Sequence, residues 1–329
     1  MNSTAIGYYP ILSFKFIKAY LITMRPYLMF VSGITGIAGM SFADNIDLTK
    51  TFLIFTAGFL SYGFGQALTD CFQTDTDSIS SPYRPLTQGL VKRCHFLLIS
   101  CLGLIFCVSI LTFYNTINIL PGIIAGAGLA TYTYFKRKWW AGPFYNSWIV
   151  VVLFLMCYLA GTEKNYLSFD NLVLPASILT VFFGYANFVL TGYFKDIEAD
   201  RATGYNTLPV VYGRKLSSFI SDVFGFIAAA SVFIILFRKV ADFSPFSELI
   251  KPLIFAAAGA GAAVFSQVNL HFVETDNESH KSIIPCVHSY ILLLSGIAVL
   301  NKPDWFIPLI LFYSLFLVIM KIRPVKQQI

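Results

Sequence analysis

Two short acidic clusters carry the residues best suited to chemistry in this 329-residue chain. The first lies in Thr69–Leu86 (TDCFQTDTDSISSPYRPL) and holds Asp70, Gln73, Asp75, Asp77 and Arg84 directly after a long apolar run. The second, Tyr193–Arg201 (YFKDIEADR), follows another apolar run and holds Lys195, Asp196, Glu198, Asp200 and Arg201. Residues three, four or seven apart share a helix face. Asp70, Gln73 and Asp77 have that spacing, as do Asp196 and Asp200, so each cluster can aim two or more oxygen ligands the same way. Mg2+ prefers hard oxygen ligands and is usually held by one or two carboxylates plus substrate phosphates. Two facing clusters of this kind suit a diphosphate bridged by Mg2+. Arg offers phosphate a planar fork and Lys a point charge. Arg84, Lys195 and Arg201 accompany the clusters, and Lys136 and Arg137 end a further apolar run. Acids in a loop are ordinarily a solvated face, and loop cations ordinarily report topology. Ionisable groups at a membrane edge more often mark function, and two clusters with matched spacing favour a site.

The elements that must position these clusters are membrane helices. The chain is 57% hydrophobic and 12% charged, contains 33 Phe, and has a mean hydropathy of +0.70. A spanning helix needs about 20 mostly apolar residues, and runs of that length recur along the sequence. Lipid leaves helices as the fitting solution for such runs, and the short alternating segments of a barrel are absent. The expected fold is an all-α, polytopic membrane helix bundle. Candidate spans lie near 23–42, 51–69, 94–113, 117–135, 143–161, 171–191, 217–237, 250–272, 283–300 and 304–321. That makes nine or ten helices, because only Asn301–Asp304 separates the last two. The N-terminus reads as lacking a cleavable signal, with the first span anchoring the mature chain. The six cysteines form no C-x-x-C pair and no metal-ligand spacing, and read as small buried hydrophobes. The net charge of +6 is modest, and nothing suggests nucleic acid.

Loop charge sets the expected orientation. Lys15, Lys18 and Arg25, then Arg84, Lys92 and Arg93, then Lys136–Lys138, then Lys195, Arg201, Arg214 and Lys215 fall on one side. That places the N-terminus and both acidic clusters in the cytoplasm. Arg238, Lys239 and Lys251 fall on the other side and run against the rule. The chain reads as a single domain over 1–329 with an internal repeat. Placing Asp77 on Asp200 puts Gln73 on Asp196, and each cluster follows the second helix of a four-helix set. The repeats would cover about 20–140 and 141–272, around one central cavity, with 283–321 as additional C-terminal helices. Asn187, between Ala186 and Phe188, could face that cavity. Interhelical hydrogen bonding explains it equally well, as it does Gln66, Gln267 and Asn269.

At the two clusters the chain resembles the UbiA superfamily of intramembrane prenyltransferases. The first family pattern, N-D-x-x-D-x-x-x-D followed by R-P-L, reads here as Thr69-Asp70-x-x-Gln73-x-x-x-Asp77, then Arg84-Pro85-Leu86. The second, Y-x-K-D-x-E-x-D-R-x-x-G-x-x-T-L-P-V, is matched from Tyr193 to Val210. Tyr134-Phe135-Lys136-Arg137 and Arg25-Pro26 are further points of likeness. Thr69 and Gln73 depart from the pattern. A Gln carbonyl can bind a hard cation but brings no charge. The resemblance implies Mg2+-dependent ionisation of an isoprenyl diphosphate and transfer of the prenyl group to a hydrophobic aromatic or lipid acceptor. It implies Asp70, Asp77, Asp196 and Asp200 as catalytic metal ligands, with Gln73 a further one. Arg84, Lys136 and Lys195 would hold the diphosphate, with Arg137, Arg201, Tyr134 and Asn187 as further substrate-binding candidates. Tyr132, Tyr134, Tyr185, Phe188 and Tyr193 could face the allylic cation, although packing explains any single ring. The run at 304–321 would be an addition to the family's set.

Two further readings stay open. The same ionisation could end in cyclisation to a terpene. A non-catalytic isoprenoid-binding membrane protein would keep the clusters without turnover. A transporter fits less well, because a four-helix repeat preserves orientation whereas inverted repeats mark many carriers.

Overall fold

A computed structural model describes residues 7–241 and 245–323. Within them the chain is a helix bundle: α1 Phe14–Met24, α2 Met29–Met40, α3 Leu48–Asp70, α4 Thr74–Ser80, α5 Arg93–Tyr114, α6 Ile119–Lys136, α7 Gly142–Thr162, α8 Val173–Tyr193, α9 Ile197–Ala202, α10 Leu208–Ala241, α11 Phe246–His271, α12 His280–Asn301 and α13 Phe306–Lys321. Eight of the described helices are long and apolar enough to cross a membrane, or nine if the bent pair α1–α2 forms one span. The pair bends by 62° between Met24 and Met29. Arg25 there adopts a left-handed conformation (φ 51°), and Pro26 cannot continue a helix. The first span therefore begins at Phe14 and breaks, rather than starting near residue 23. α10 begins earlier than expected, at Leu208, and is interrupted at Gly213 (φ 77°), a conformation glycine adopts without strain.

α2, α7, α8 and α12 pack on one another at the centre, with the other helices around them. Among the eight long spans α12 is the most enclosed, with 83% of its apolar window buried, whereas α13 has 17% and lies on the periphery. α2 and α7 approach closely because Gly39 has no side chain: a Cβ there would stand 2.4 Å from the Phe154 carbonyl oxygen. Such small-residue contacts drive helix association where lipid supplies no hydrophobic gain. The bundle is tied off at the end remote from the acidic clusters. Asn118 Nδ2 donates to the Leu111 and Met156 carbonyls (3.0 and 3.1 Å), and buried Lys50 donates to the Gly161 carbonyl (2.8 Å) and pairs with Glu163. Cys71, Cys107, Cys157 and Cys286 are buried as expected, while Cys94 and Cys101 are exposed.

Candidate active site

Each acidic cluster begins where a membrane helix stops. α3 ends at Asp70, the backbone turns through Cys71–Gln73, and α4 carries Asp75 and Asp77. α8 ends at Tyr193, turns through Phe194–Asp196, and α9 carries Glu198 and Asp200. The two turns share one backbone. Gln73 has φ −118°, ψ 19° and Asp196 has φ −116°, ψ 14°; Cys71 has −63°, −22° and Phe194 has −64°, −19°. Their bonds correspond too: Asp77 N–H donates to Gln73 O and Asp200 N–H to Asp196 O. Seven residues further on, Arg84 donates to Asp77 and Thr207 to Asp200. The seven-residue spacing of the first cluster thus crosses a bend instead of running along one helix. Asp70, Gln73 and Asp77 still line one cavity, because the bend turns α4 across the helix end.

The cations and acids at this mouth are buried together. Arg25 Nη2 donates to both oxygens of Asp70 (3.2 Å each), and Arg84 lies 3.5 Å from Asp70 while pairing with Asp77. Gln66 also donates to Asp70 (2.6 Å). Lys136 joins the two halves: its Nζ donates to Gln73 Oε1 (3.2 Å) and lies 3.5 Å from Asp200. Asp200 is fully buried, accepts from Thr76 and Thr207 (3.2 Å each), and does not line the cavity. Asp196 does line it, and its Oδ1 is buried with no hydrogen-bond partner among the described residues. Burial lifts the Asp77 and Asp200 carboxyls to about 6, with Arg84 and Lys136 respectively pulling the other way. At Asp196 burial is outweighed by Lys195, Lys136 and Arg84, which hold it below the usual range. Burial pushes Lys195 down to about 8.

Below this charged mouth the cavity is apolar and encloses about 220 Å3. Leu104, Cys107, Val108 and Leu111 of α5, Ala125, Gly126 and Leu129 of α6, and Leu153 and Met156 of α7 form much of its wall. Tyr132, Tyr185, Phe188 and Tyr193 also line it. No histidine is among the lining residues.

The structure brings together most of the residues singled out from sequence: Asp70, Gln73, Asp77, Arg84, Lys136, Lys195 and Asp196 all line the cavity. Five do not: Asp200 packs behind the mouth, and the other four lie elsewhere. Tyr134, two residues from Tyr132, points from the outer face of α6 and is 63% exposed. Arg137 follows the end of α6 and turns outward to Asp75 (3.0 Å) and the Tyr205 hydroxyl (3.2 Å). Arg201 is exposed on α9. Asn187 faces the other side of α8, where it accepts from Gln267 (3.1 Å) and donates to the Ser221 carbonyl (3.0 Å) beside a space of about 10 Å3. Interhelical bonding accounts for it. The cavity therefore lies among α2, α3, α5, α6, α7 and α8. Sequence reasoning did not assign Arg25, Tyr62 and Asn146, which also line the cavity. The signal for Arg25 was a cation beside a helix-breaking proline at the foot of an apolar run.

A membrane helix bundle with two facing acidic turns over an apolar cavity is the architecture of an intramembrane prenyltransferase. The UbiA prenyltransferase family model matches residues 30–284, and the chain belongs to that family. Among curated relatives, digeranylgeranylglyceryl phosphate synthase of Thermococcus sibiricus is 33% identical over 216 residues, 63% of this chain and 73% of the relative. The Thermococcus kodakarensis enzyme of the same name is 26% identical over 223 residues, covering 66% and 77%. Two solved structures share the fold. A UbiA homologue from Aeropyrum pernix superposes with a TM-score of 0.67 at 17% identity, over 82% of this chain and 96% of that one. A homologue from Archaeoglobus fulgidus bound to DMAPP and Mg2+ superposes at 0.62 with 14% identity, over 92% and 99%.

Proposed function

We propose that this chain ionises a prenyl diphosphate at the charged mouth and transfers the prenyl group to a lipid acceptor bearing a hydroxyl. One observation carries the reading: four cations, Arg25, Arg84, Lys136 and Lys195, converge with Asp70, Gln73, Asp77 and Asp196 on the rim of an otherwise apolar cavity. Such a rim suits a polyanionic diphosphate head, and the apolar wall suits its tail. The residues fit Mg2+. The donors are all oxygens, Asp196 Oδ1 is buried without a partner, and the described residues hold no group of three His, Cys, Asp or Glu that would bind a metal alone. An ion shared with substrate phosphates is the arrangement Mg2+ favours. Asp70, Asp77 and Asp196, with Gln73, would hold it, and Asp200 would fix Lys136 from behind. When bound, Mg2+ neutralises charge developing on the leaving diphosphate.

The protein's own groups account for the remaining steps. The cations grip the diphosphate, and the carbon–oxygen bond breaks with its electron pair leaving on oxygen. Tyr132, Tyr185, Phe188 and Tyr193 face the allylic cation and keep water away, a contact worth about 2 kcal/mol per desolvated ring. The acceptor hydroxyl then adds to the cation and gives its proton to the released diphosphate or a rim carboxylate, since no histidine lines the cavity. The archaeal relatives' name supports a glycerol-lipid acceptor over an aromatic one. The test is purified protein with Mg2+ and labelled geranylgeranyl diphosphate, offered geranylgeranylglyceryl phosphate, 4-hydroxybenzoate or no acceptor. Label in the glycerol lipid is expected. Label only in the aromatic product overturns the acceptor. A cyclic hydrocarbon without acceptor overturns transfer in favour of cyclisation, and folded protein that releases no diphosphate overturns catalysis.

By the same reading, the charged mouth and the N-terminus face the cytoplasm. Exposed Cys94, at the start of α5, reports the side. A membrane-impermeant maleimide added to intact cells is expected to leave Cys94 unlabelled, and labelling before lysis would reverse the orientation.

A further inference from the structure

Asp196 occupies the N-cap position of α9, where an aspartate ordinarily accepts a hydrogen bond from the second or third backbone N–H of its own helix. It makes no such bond. Its side chain lies against the cavity, and its Oδ1 has no hydrogen-bond partner among the described residues. The second N–H of α9, that of Glu198, is taken by a residue nearly eighty positions away: it donates to Asp276 Oδ2 at 2.9 Å. Asp276 is itself held on three sides. Arg214 Nη2 pairs with its other oxygen, and Arg214 Nη1 donates to the carbonyl of Phe194, in the turn that carries Asp196 (3.4 Å). A capping box between Thr275 and Glu278 fixes the turn that presents Asp276, and the Ser279 hydroxyl donates to its carbonyl (2.6 Å).

We propose that Asp276 is a positioning residue: by supplying the cap that α9 needs, it releases Asp196 from its own helix and leaves that carboxylate facing the cavity. The equivalent position of the first turn holds Gln73, whose amide oxygen is bound to Lys136 instead. A surrogate cap is needed only where the N-cap residue is both a strong capper and required elsewhere. The inference rests on the proposed role of Asp196 as a metal ligand. Without Asp276, Asp196 has two competing uses, and each turn toward its own helix withdraws it from the ion.

The experiment measures Mn2+ binding by electron paramagnetic resonance, on full-length protein in detergent with geranyl thiolodiphosphate as a non-ionising probe. Asp276→Ala is expected to weaken Mn2+ about five- to tenfold, the equivalent of one lost N-cap, with a melting temperature near wild type. Asp276→Asn keeps an acceptor oxygen for the Glu198 N–H and is expected to retain most of the affinity. In turnover assays Asp276→Ala raises the KM for Mg2+ and leaves kcat at saturating Mg2+ nearly unchanged, a split that a general loss of fold would not give. Wild-type affinity in Asp276→Ala overturns the proposal, as does an equal loss in Asp276→Asn. Should Asp276→Ala not fold, Arg214→Met unpins Asp276 without deleting it. A smaller loss of Mn2+ affinity then supports the proposal, and wild-type affinity overturns it. Asp196→Ala serves as the control. If it binds Mn2+ as wild type does, the metal-site reading fails; if it loses Mn2+ while Asp276→Ala does not, only the role of Asp276 fails.

Discussion

Asp196→Ala protein is expected to fold, melt close to wild type, and release diphosphate about a thousandfold more slowly or worse. The two halves of that expectation have separate causes. Asp196 Oδ1 is buried with no hydrogen-bond partner, so the fold already bears a desolvated, unsatisfied oxygen that alanine removes. The charge left behind is Lys195, which burial already pushes down to about 8 and which can shed its proton instead of destabilising the turn. The catalytic loss is expected because Asp196 lines the cavity and its Oδ1 has no hydrogen-bond partner among the described residues. Asp200→Ala is expected to behave differently. It deprives Lys136, Thr76 and Thr207 of their common partner. Breaking a buried pair in this way costs about 3 kcal/mol or more. Thermal melting and pyrophosphate release on the same preparations check both variants. Full activity in Asp196→Ala would refute the two-turn site, and matched melting curves for the two variants would refute the division of labour between them.

That division was not readable from the spacing. Positions 196 and 200 share a helix face in any regular helix, yet Asp196 precedes α9 in a turn and Asp200 lies within it, so one meets the cavity and the other packs behind it. The apolar runs did reveal the spans, because burial in lipid leaves no alternative to long helices. They could not reveal which face of a helix looks inward. α6 is apolar on all sides, so Tyr132 and Tyr134 were indistinguishable until the neighbours of α6 were known; residues two apart on a helix point to different faces. α8 has 72% of its window buried and serves two interiors at once, which is why Asn187 lies away from the cavity that Tyr185 and Phe188 line. The matched motifs carried further. Aligning Asp77 with Asp200 places Gln73 on Asp196, and the backbone angles at those two positions agree within a few degrees.

Lys136→Met is expected to slow diphosphate release by about a hundredfold or more and to lower stability by about 3 kcal/mol. Lys136 bonds to both halves of the mouth from within the cavity, reaching Gln73 on one and Asp200 on the other, with the Tyr193 and Tyr205 rings at 5.6 and 5.3 Å from its ammonium. Methionine preserves the stem and removes the charge, leaving the fully buried Asp200 carboxylate without its cation. Two roles are therefore confounded in the single variant, and a second substitution separates them. Asp200→Asn keeps an oxygen to accept from Thr76 or Thr207 and needs no counter-charge, so Lys136→Met with Asp200→Asn is expected to recover most of the lost stability. Activity is not expected to return, because on the proposed reading the diphosphate would still lack the Lys136 ammonium at the rim. If the double variant regained turnover along with stability, Lys136 would be a structural tie alone, and the anion would have to be held by Arg25, Arg84 and Lys195. Stable but inactive double variants would instead show that Lys136 serves the substrate as well as the fold; its bond to a neutral Gln73 suits that second use, because a carboxylate at position 73 would claim the ammonium more strongly than an amide does.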